Sequence, residues 1–167
     1  MTRSTPSRRF LLTALGGGAV TVLAGCTGDN GVGIEGDPHY ENGTVDDVDG
    51  EDRSPEELTA AQSLAEQEVT EGVTSLDDLT LEAHEFVLED DYHGSTVQGV
   101  VEYTGDERVD VAEVRVRVYT DDGDQIGRYL DTTGDLDGGT AWEFQVILLE
   151  SPTDIADYDI TVLGTPT

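Results

Sequence analysis

The chain contains no lysine, and its eight basic residues are all arginines, against 37 aspartates and glutamates. The formal net charge is -29 at pH 7. We therefore expect no nucleic-acid partner, because phosphate binding requires a basic patch. Such an acidic composition is typical of a halophile's protein, since in molar salt the Debye length is only about 3 Å and neighbouring carboxylates repel weakly.

Cysteine is almost absent as well, since Cys26 is the single one. No disulfide, cysteine-ligated zinc or iron–sulfur site can form within one chain, and a blue-copper site would need a cysteine inside the fold. The serine motifs Gly-x-Ser-x-Gly and Ser-x-x-Lys are missing, and the second cannot occur without lysine. These gaps predict a protein that is not an enzyme and holds no metal or other cofactor.

The N-terminal residues predict export followed by lipid anchoring. Arg8 and Arg9 precede an apolar run from Leu11 to Leu23, which is the pattern of a twin-arginine (Tat) export signal. The run is too short for a membrane-spanning helix, which needs about 20 apolar residues. Leu23-Ala24-Gly25-Cys26 resembles a lipobox, in which the cysteine thiol takes a lipid.

We therefore expect residues 1–25 to be a Tat signal peptide. Cys26 would then hold the mature chain in the cell membrane, on the extracellular face, through a lipid. The alternatives are a cleaved signal with an unmodified cysteine and a retained membrane helix.

Residues 26–53 are rich in glycine, aspartate, asparagine, glutamate and threonine. They have too little apolar surface to offset their ordering entropy, so they predict an acidic, flexible and disordered tether. Asn42-Gly43-Thr44 lies in this tether and matches the N-glycosylation acceptor pattern. Asn42 is therefore a candidate glycosylation site, although Asn-Gly is also a common turn sequence.

Residues 54–71 predict one short helix. Ser54 is the expected N-cap, Pro55 suits the first helical position and Glu57 completes a capping box. We expect the helix to end near Val69. Its apolar stripe is small, so the helix either docks on the rest of the protein or stays loose.

Residues 75–167 predict the folded domain, because the hydrophobic period there changes to two. In Val114-Arg115-Val116-Arg117-Val118 the valines face one way and the arginines the other. The acidic turn Asp121-Asp122-Gly123-Asp124 gives a tight hairpin. We expect strands at about 80–88, 96–104, 110–120, 125–133, 140–149 and 157–163. Short strands at this spacing predict a mainly β fold, an antiparallel β-sandwich of six or seven strands.

A set of strand and turn residues carries a family resemblance: Gly99-Val100-Val101, the strand from Val114 to Tyr119, Asp122-Gly123, Leu136-Asp137-Gly138-Gly139, Phe144 and Tyr158. They resemble the FxLYD domain, and with the leader the chain resembles a haloarchaeal FxLYD-domain lipoprotein. The resemblance covers roughly 75–165 and 7–26. Tyr103 and Asp137 depart from the family pattern, which has Asn and Pro there. The resemblance implies an immunoglobulin-like sandwich on a cell-surface protein and supplies no activity, ligand or functional residue.

Three further groups of residues have weaker chemical signals. His84 and His93, with Glu85, Asp90 and Asp91 nearby, are candidate metal ligands, and the third histidine, His39, lies in the tether. Surface histidines on an acidic protein explain them better. The acidic turn 121–124 has oxygen ligands for a weakly held cation but lacks the spacing of an EF-hand loop. Trp142 and Phe144 alternate inward with Val146, which favours core packing over a sugar-stacking platform.

Arg115 and Arg117 belong to the one cluster of positive charge in the mature chain. In an immunoglobulin-like sheet their strand lies beside the last strand, so we expect them to share its outer face with Asp157 and Asp159. Pairing across strands would contribute about 0.2–1 kcal/mol for each pair. The alternative is that both arginines form a docking patch for an acidic protein partner.

Two functions fit these features. The first is a non-enzymatic cell-surface lipoprotein whose sandwich serves as a spacer or protein-interaction module. The second is a small-molecule or ion-binding accessory subunit of a transporter or surface complex. A concave aromatic or polar pocket would favour the second.

Overall fold

A computed structural model describes residues 38–46, 48 and 50–165, and this part of the chain is mainly β. It contains strands β1 (Glu41–Thr44), β2 (Leu79–Leu88), β3 (Ser95–Tyr103), β4 (Val109–Tyr119), β5 (Gln125–Leu136), β6 (Thr140–Ile147) and β7 (Asp157–Gly164), and one α-helix, α1 (Pro55–Ala65). A short 3-10 helix, Pro152–Asp154, lies between β6 and β7. The predicted export and lipid-anchor residues, Arg8, Arg9 and Cys26, lie outside the described residues.

The strands form two antiparallel sheets, one with the order β1-β7-β4-β5 and the other with the order β2-β3-β6. With β2 to β7 taken as the immunoglobulin strands A, B, C, C′, E and F, the sheets are A-B-E and C′-C-F. The edge place beside F is filled by β1, which comes from the N-terminal side of the domain. The predicted immunoglobulin-like β-sandwich is confirmed, with seven strands.

The core lies between the two sheets and follows from the alternation of side chains along the strands. Val114, Val116 and Val118 of β4 are completely buried, and Tyr158 and Ile160 of β7 pack in the same layer. From the opposite sheet come Val97, Val101, Phe144 and Val146. Trp142 is half-buried against this core, 6.0 Å from Phe144 between ring centroids, so the predicted core role of both rings is confirmed.

Strand β1 lies inside the segment that the sequence predicts as a tether, and for these four residues the prediction is wrong. β1 pairs with the edge of β7, with Gly43 opposite Tyr158. A Cβ atom on Gly43 would lie 2.0 Å from Cζ of the Tyr158 ring, so only glycine fits there. The Asn-Gly pair, interpreted above as a turn or tether signal, instead supplies the space that this ring needs.

Helix α1 begins as predicted and ends earlier than predicted. Ser54 and Glu57 form the capping box, with Pro55 at the start of the helix. The helix ends at Ala65 because the following residues bind the sandwich instead: the Thr70 N–H donates to Glu113 Oε2 at 2.8 Å. α1 lies against β6 with Ala61 fully buried, so the helix docks.

Arg53, just before α1, holds the segment that leads into the helix against the end of the three-stranded sheet. Its guanidinium donates to the carbonyl oxygens of Leu148 (2.7 Å) and Tyr92 (3.1 Å), and to that of His93. Burial lowers the pKa of Arg53. The carbonyls come from the β2–β3 turn and from the end of β6, so one side chain joins three segments that are distant in sequence.

Candidate functional site

The outer face of the four-stranded sheet, on the side away from the core, carries an ion pair between its two central strands. Arg117 and Asp159 are register partners, and Arg117 Nε donates to Asp159 Oδ1 at 2.7 Å while Nη2 donates to Oδ2. The Tyr119 hydroxyl donates to the same carboxylate at 3.0 Å, and the Tyr40 ring lies 3.6 Å from Arg117 Cζ. The hydrogen bond with Asp159 raises the pKa of Arg117.

Arg115 lies on the same face but has a different partner from the one predicted. It is opposite Thr161, and its Nε donates to Oε1 of Glu113, two residues earlier on β4. Glu113 is 0% exposed although it points away from the core, because the segment that ends at Thr70 covers it. Asp157 lies opposite Tyr119, beyond the arginines.

The predicted outward register of both arginines is therefore confirmed, and so is the Arg117–Asp159 pair. The predicted pairing of Arg115 with Asp157 or Asp159 is wrong, because Arg115 binds Glu113 on its own strand instead. The sequence contains a signal for this contact, since Glu113, Arg115 and Arg117 are at alternate positions of β4 and therefore point to the same face of the sheet.

Arg115 and Arg117 are each matched by a carboxylate, which offsets the positive charge of the predicted docking patch. Arg108 is matched in the same way, 3.1 Å from both Asp135 and Asp137. In the described part of the chain, Arg53 binds carbonyl oxygens and Arg128 has no carboxylate within ion-pair distance. Arg128 is exposed on β5, opposite Arg117. The arrangement favours a role of Arg115 and Arg117 in holding the sheet together.

A groove of about 530 Å³ lies at the other edge of the sandwich, between β1 and β2. Phe86, Val48 and Leu88 supply apolar surface, and Glu85 and Asp46 supply charge. Its lining mixes polar and apolar groups and is more polar than that of most ligand sites, which are largely apolar with a few polar groups.

His84 and Tyr158 form a polar link across this groove. His84 Nδ1 is 2.8 Å from the Tyr158 hydroxyl. Burial, with a smaller effect of Glu85, raises the pKa of Tyr158 to about 12. Burial lowers the pKa of His84, against a weaker opposing effect of Glu41. At neutral pH the link is therefore a hydrogen bond between a neutral imidazole and a protonated phenol.

The remaining sequence-based candidates are spread over the surface. His93 Nδ1 contacts Asp91 Oδ1 at 2.7 Å, so it and His84 have separate partners, and His39 is exposed near the start of β1. Within the described part of the chain, no three histidine, cysteine or carboxylate side chains come together as metal ligands would. The turn 121–124 is a hairpin turn in which Gly123 has a φ of 83°.

Asn42 is exposed on β1, with its acceptor partner Thr44 exposed two residues later. Among the helices of the described segment, none combines the length and the apolar character of a membrane span.

Part of the chain is similar to a known protein of Methanocaldococcus jannaschii, which is named as an uncharacterized protein. The two are 33% identical over 84 residues. The match covers 49% of this chain and 61% of that relative. No family model matches the chain, and no solved structure matches it.

Proposed function

We propose that this protein is a non-enzymatic lipoprotein of the extracellular face of the cell membrane, whose sandwich serves as a protein-interaction module or spacer. The observation that carries the proposal is the order of the leader: Arg8 and Arg9, an apolar run, and Leu23-Ala24-Gly25-Cys26. The acidic composition suits a domain that is exposed to concentrated salt.

The position of β1 limits how far the domain can lie from a lipid on Cys26. Because β1 begins at Glu41, the chain between Cys26 and the domain has a maximum length of about 50 Å. A lipid on Cys26 would therefore hold the sandwich close to the membrane. Interaction partners would be other components of the cell surface, and we propose no nucleic-acid partner.

Fractionation of cells that produce Cys26→Ser protein tests the anchor. We expect this variant in the medium, whereas the wild-type chain stays with the membranes, and we expect Arg8→Lys with Arg9→Lys to block export. Cys26→Ser protein that remains in the membrane fraction at wild-type levels would contradict the proposal. If the anchor is confirmed, cross-linking in native membranes at high salt is the experiment that captures the partners of the wild-type chain.

The β1–β2 groove favours a second candidate function, a small-molecule-binding accessory subunit of a transporter or surface complex. Its volume lies within the range of about 300–1,000 Å³ that ligand sites occupy. Ligand-observed NMR with a small-metabolite library would test it. Binding that is lost in Glu85→Gln and kept in Glu82→Gln would support this function, and a library without binders would count against it.

A further inference from the structure

The exposed sequon on β1 differs from a sequon in an unstructured tether, because the fold arranges its three residues. Successive side chains on a strand point to opposite faces, so Asn42 and Thr44 lie on one side and Gly43 on the other. Asn42 and Thr44 are exposed, and Gly43 is buried under the Tyr158 ring. The acceptor amide and the hydroxyl thus face solvent together.

We propose that Asn42 is N-glycosylated on the folded domain. The inference rests on the export of the chain that is proposed above, since the modification needs an enzyme and a sugar donor on the outer side of the membrane. The chain contains only two asparagines, Asn30 and Asn42, and the second alone is followed by the acceptor pattern.

The chemistry is a glycosyl transfer from an oligosaccharide that is bound to a lipid phosphate. The Asn42 side-chain nitrogen attacks C1 of the first sugar and forms the N–C1 bond. The C1–O bond to the phosphate breaks, and the lipid phosphate leaves with the electron pair. The nitrogen loses one proton to a base of the transferase, and nothing is oxidised or reduced.

The edge position of β1 makes this reaction compatible with a folded acceptor. β1 has four residues and pairs only with β7, while its other side borders the groove. Opening a short edge strand disturbs little of the core, and local openings of this kind require much less free energy than global unfolding. A transferase can therefore reach the sequon without unfolding the sandwich.

A glycan at Asn42 would also cover a defined part of the surface. Asn42 is the register partner of Asp159, so the first sugar would stand beside the Arg117–Asp159 pair and the Tyr40 ring. It would hinder the addition of a foreign strand at this exposed edge, a hazard that native sheets commonly block.

Peptide mass spectrometry of the surface protein tests the proposal. Cleavage after Glu35, Glu41 and Glu51 separates Asn42 from Cys26, so a sugar and a lipid are measured on different peptides. We expect sugar mass on the Asn42 peptide of the wild-type chain. Asn42→Gln and Thr44→Ala should lose it, and Thr44→Ser should keep it, as should the matched control Asn30→Gln.

The export variants separate this inference from the proposed function. Secreted Cys26→Ser protein should carry the sugar, and the double arginine variant, retained inside the cell, should not. Wild-type protein that reaches the surface without sugar on Asn42 would overturn the glycosylation and leave the proposed function standing. A wild-type chain that stays inside the cell without sugar would overturn both.

Discussion

The two edges of the sandwich, where the sheets meet, are closed in different ways. At the β5–β6 edge, the Gln145 N–H donates to Asp131 Oδ2 at 3.0 Å and the Tyr129 hydroxyl donates to Glu150 Oε1 at 2.8 Å, while α1 lies outside them. At the β1–β2 edge a groove remains, and the His84–Tyr158 contact links its sides. The β5–β6 edge is therefore held by two polar contacts and a helix, and the β1–β2 edge by one short strand and one polar contact.

The difference concerns function as well as stability. Elements with few buried contacts and exposed backbone are the ones that open first in native proteins. Both features proposed to meet other molecules, the groove and the Asn42 sequon, lie at the weakly fastened edge.

The largest effect is expected from removing the Arg53 guanidinium, which binds the segment before α1 to the β2–β3 turn and to the end of β6. Arg53→Met leaves carbonyls of the β2–β3 turn and of Leu148 without their donor, and should lower the free energy of unfolding by about 3 kcal/mol. Denaturant unfolding in molar salt measures this. The matched control Arg128→Met removes an exposed arginine and should change stability by no more than about 0.5 kcal/mol. Equal effects of the two substitutions would show that Arg53 fastens nothing.

The next effect separates the two arginines of the outer face. Arg115→Gln leaves the buried carboxylate of Glu113 without its cation, although the Thr70 N–H still donates to it, and should lower stability by about 2 kcal/mol. Arg117→Gln affects a more exposed pair and should lower it by about 1 kcal/mol. If Arg117→Gln were the more harmful of the two in urea titrations, the burial of Glu113 would not decide how much each arginine stabilises the sheet.

These comparisons define what the sequence could predict. The alternation in β4 predicts the register of Arg115 and Arg117 and the face they share with Asp159, because period and burial are local signals. The coverage of Glu113 by Thr70 depends on where α1 ends, which tertiary contacts decide. β1 cannot be recognised from the sequence for a similar reason. Its four residues have no apolar pattern, and they form a strand only when β7 and the Tyr158 ring are in place. The leader residues and Asn42 modification stay predictions.

The open edge should be weakened selectively by Gly43→Ala. The added methyl group overlaps the Tyr158 ring, and overpacking of this kind costs about 1–3 kcal/mol unless β1 detaches. We expect a loss near 1.5 kcal/mol, because detachment limits the cost. Thr44→Ala, on the exposed side of the same strand, is the control. Wild-type stability of Gly43→Ala in thermal unfolding would mean that the ring does not pack on this glycine.

The smallest expected effect is a pH dependence of the same edge. Because the pKa of His84 is lowered in the folded state, the unfolded chain binds more protons as the pH falls through its ordinary value of about 6.5. Stability from this group is therefore present above that pH and decreases below it. His84→Gln should flatten the slope between pH 7.5 and 5.5, whereas the same slope in both proteins would exclude His84 as its source.

Native-state hydrogen exchange in molar salt tests the contrast between the edges most directly. We predict that the amides of β1 exchange well before those of β6, and that Gly43→Ala accelerates β1 while leaving β6 unchanged. Exchange of β1 and β6 at the same rate, controlled by global unfolding, would contradict the account that one edge opens while the other stays closed.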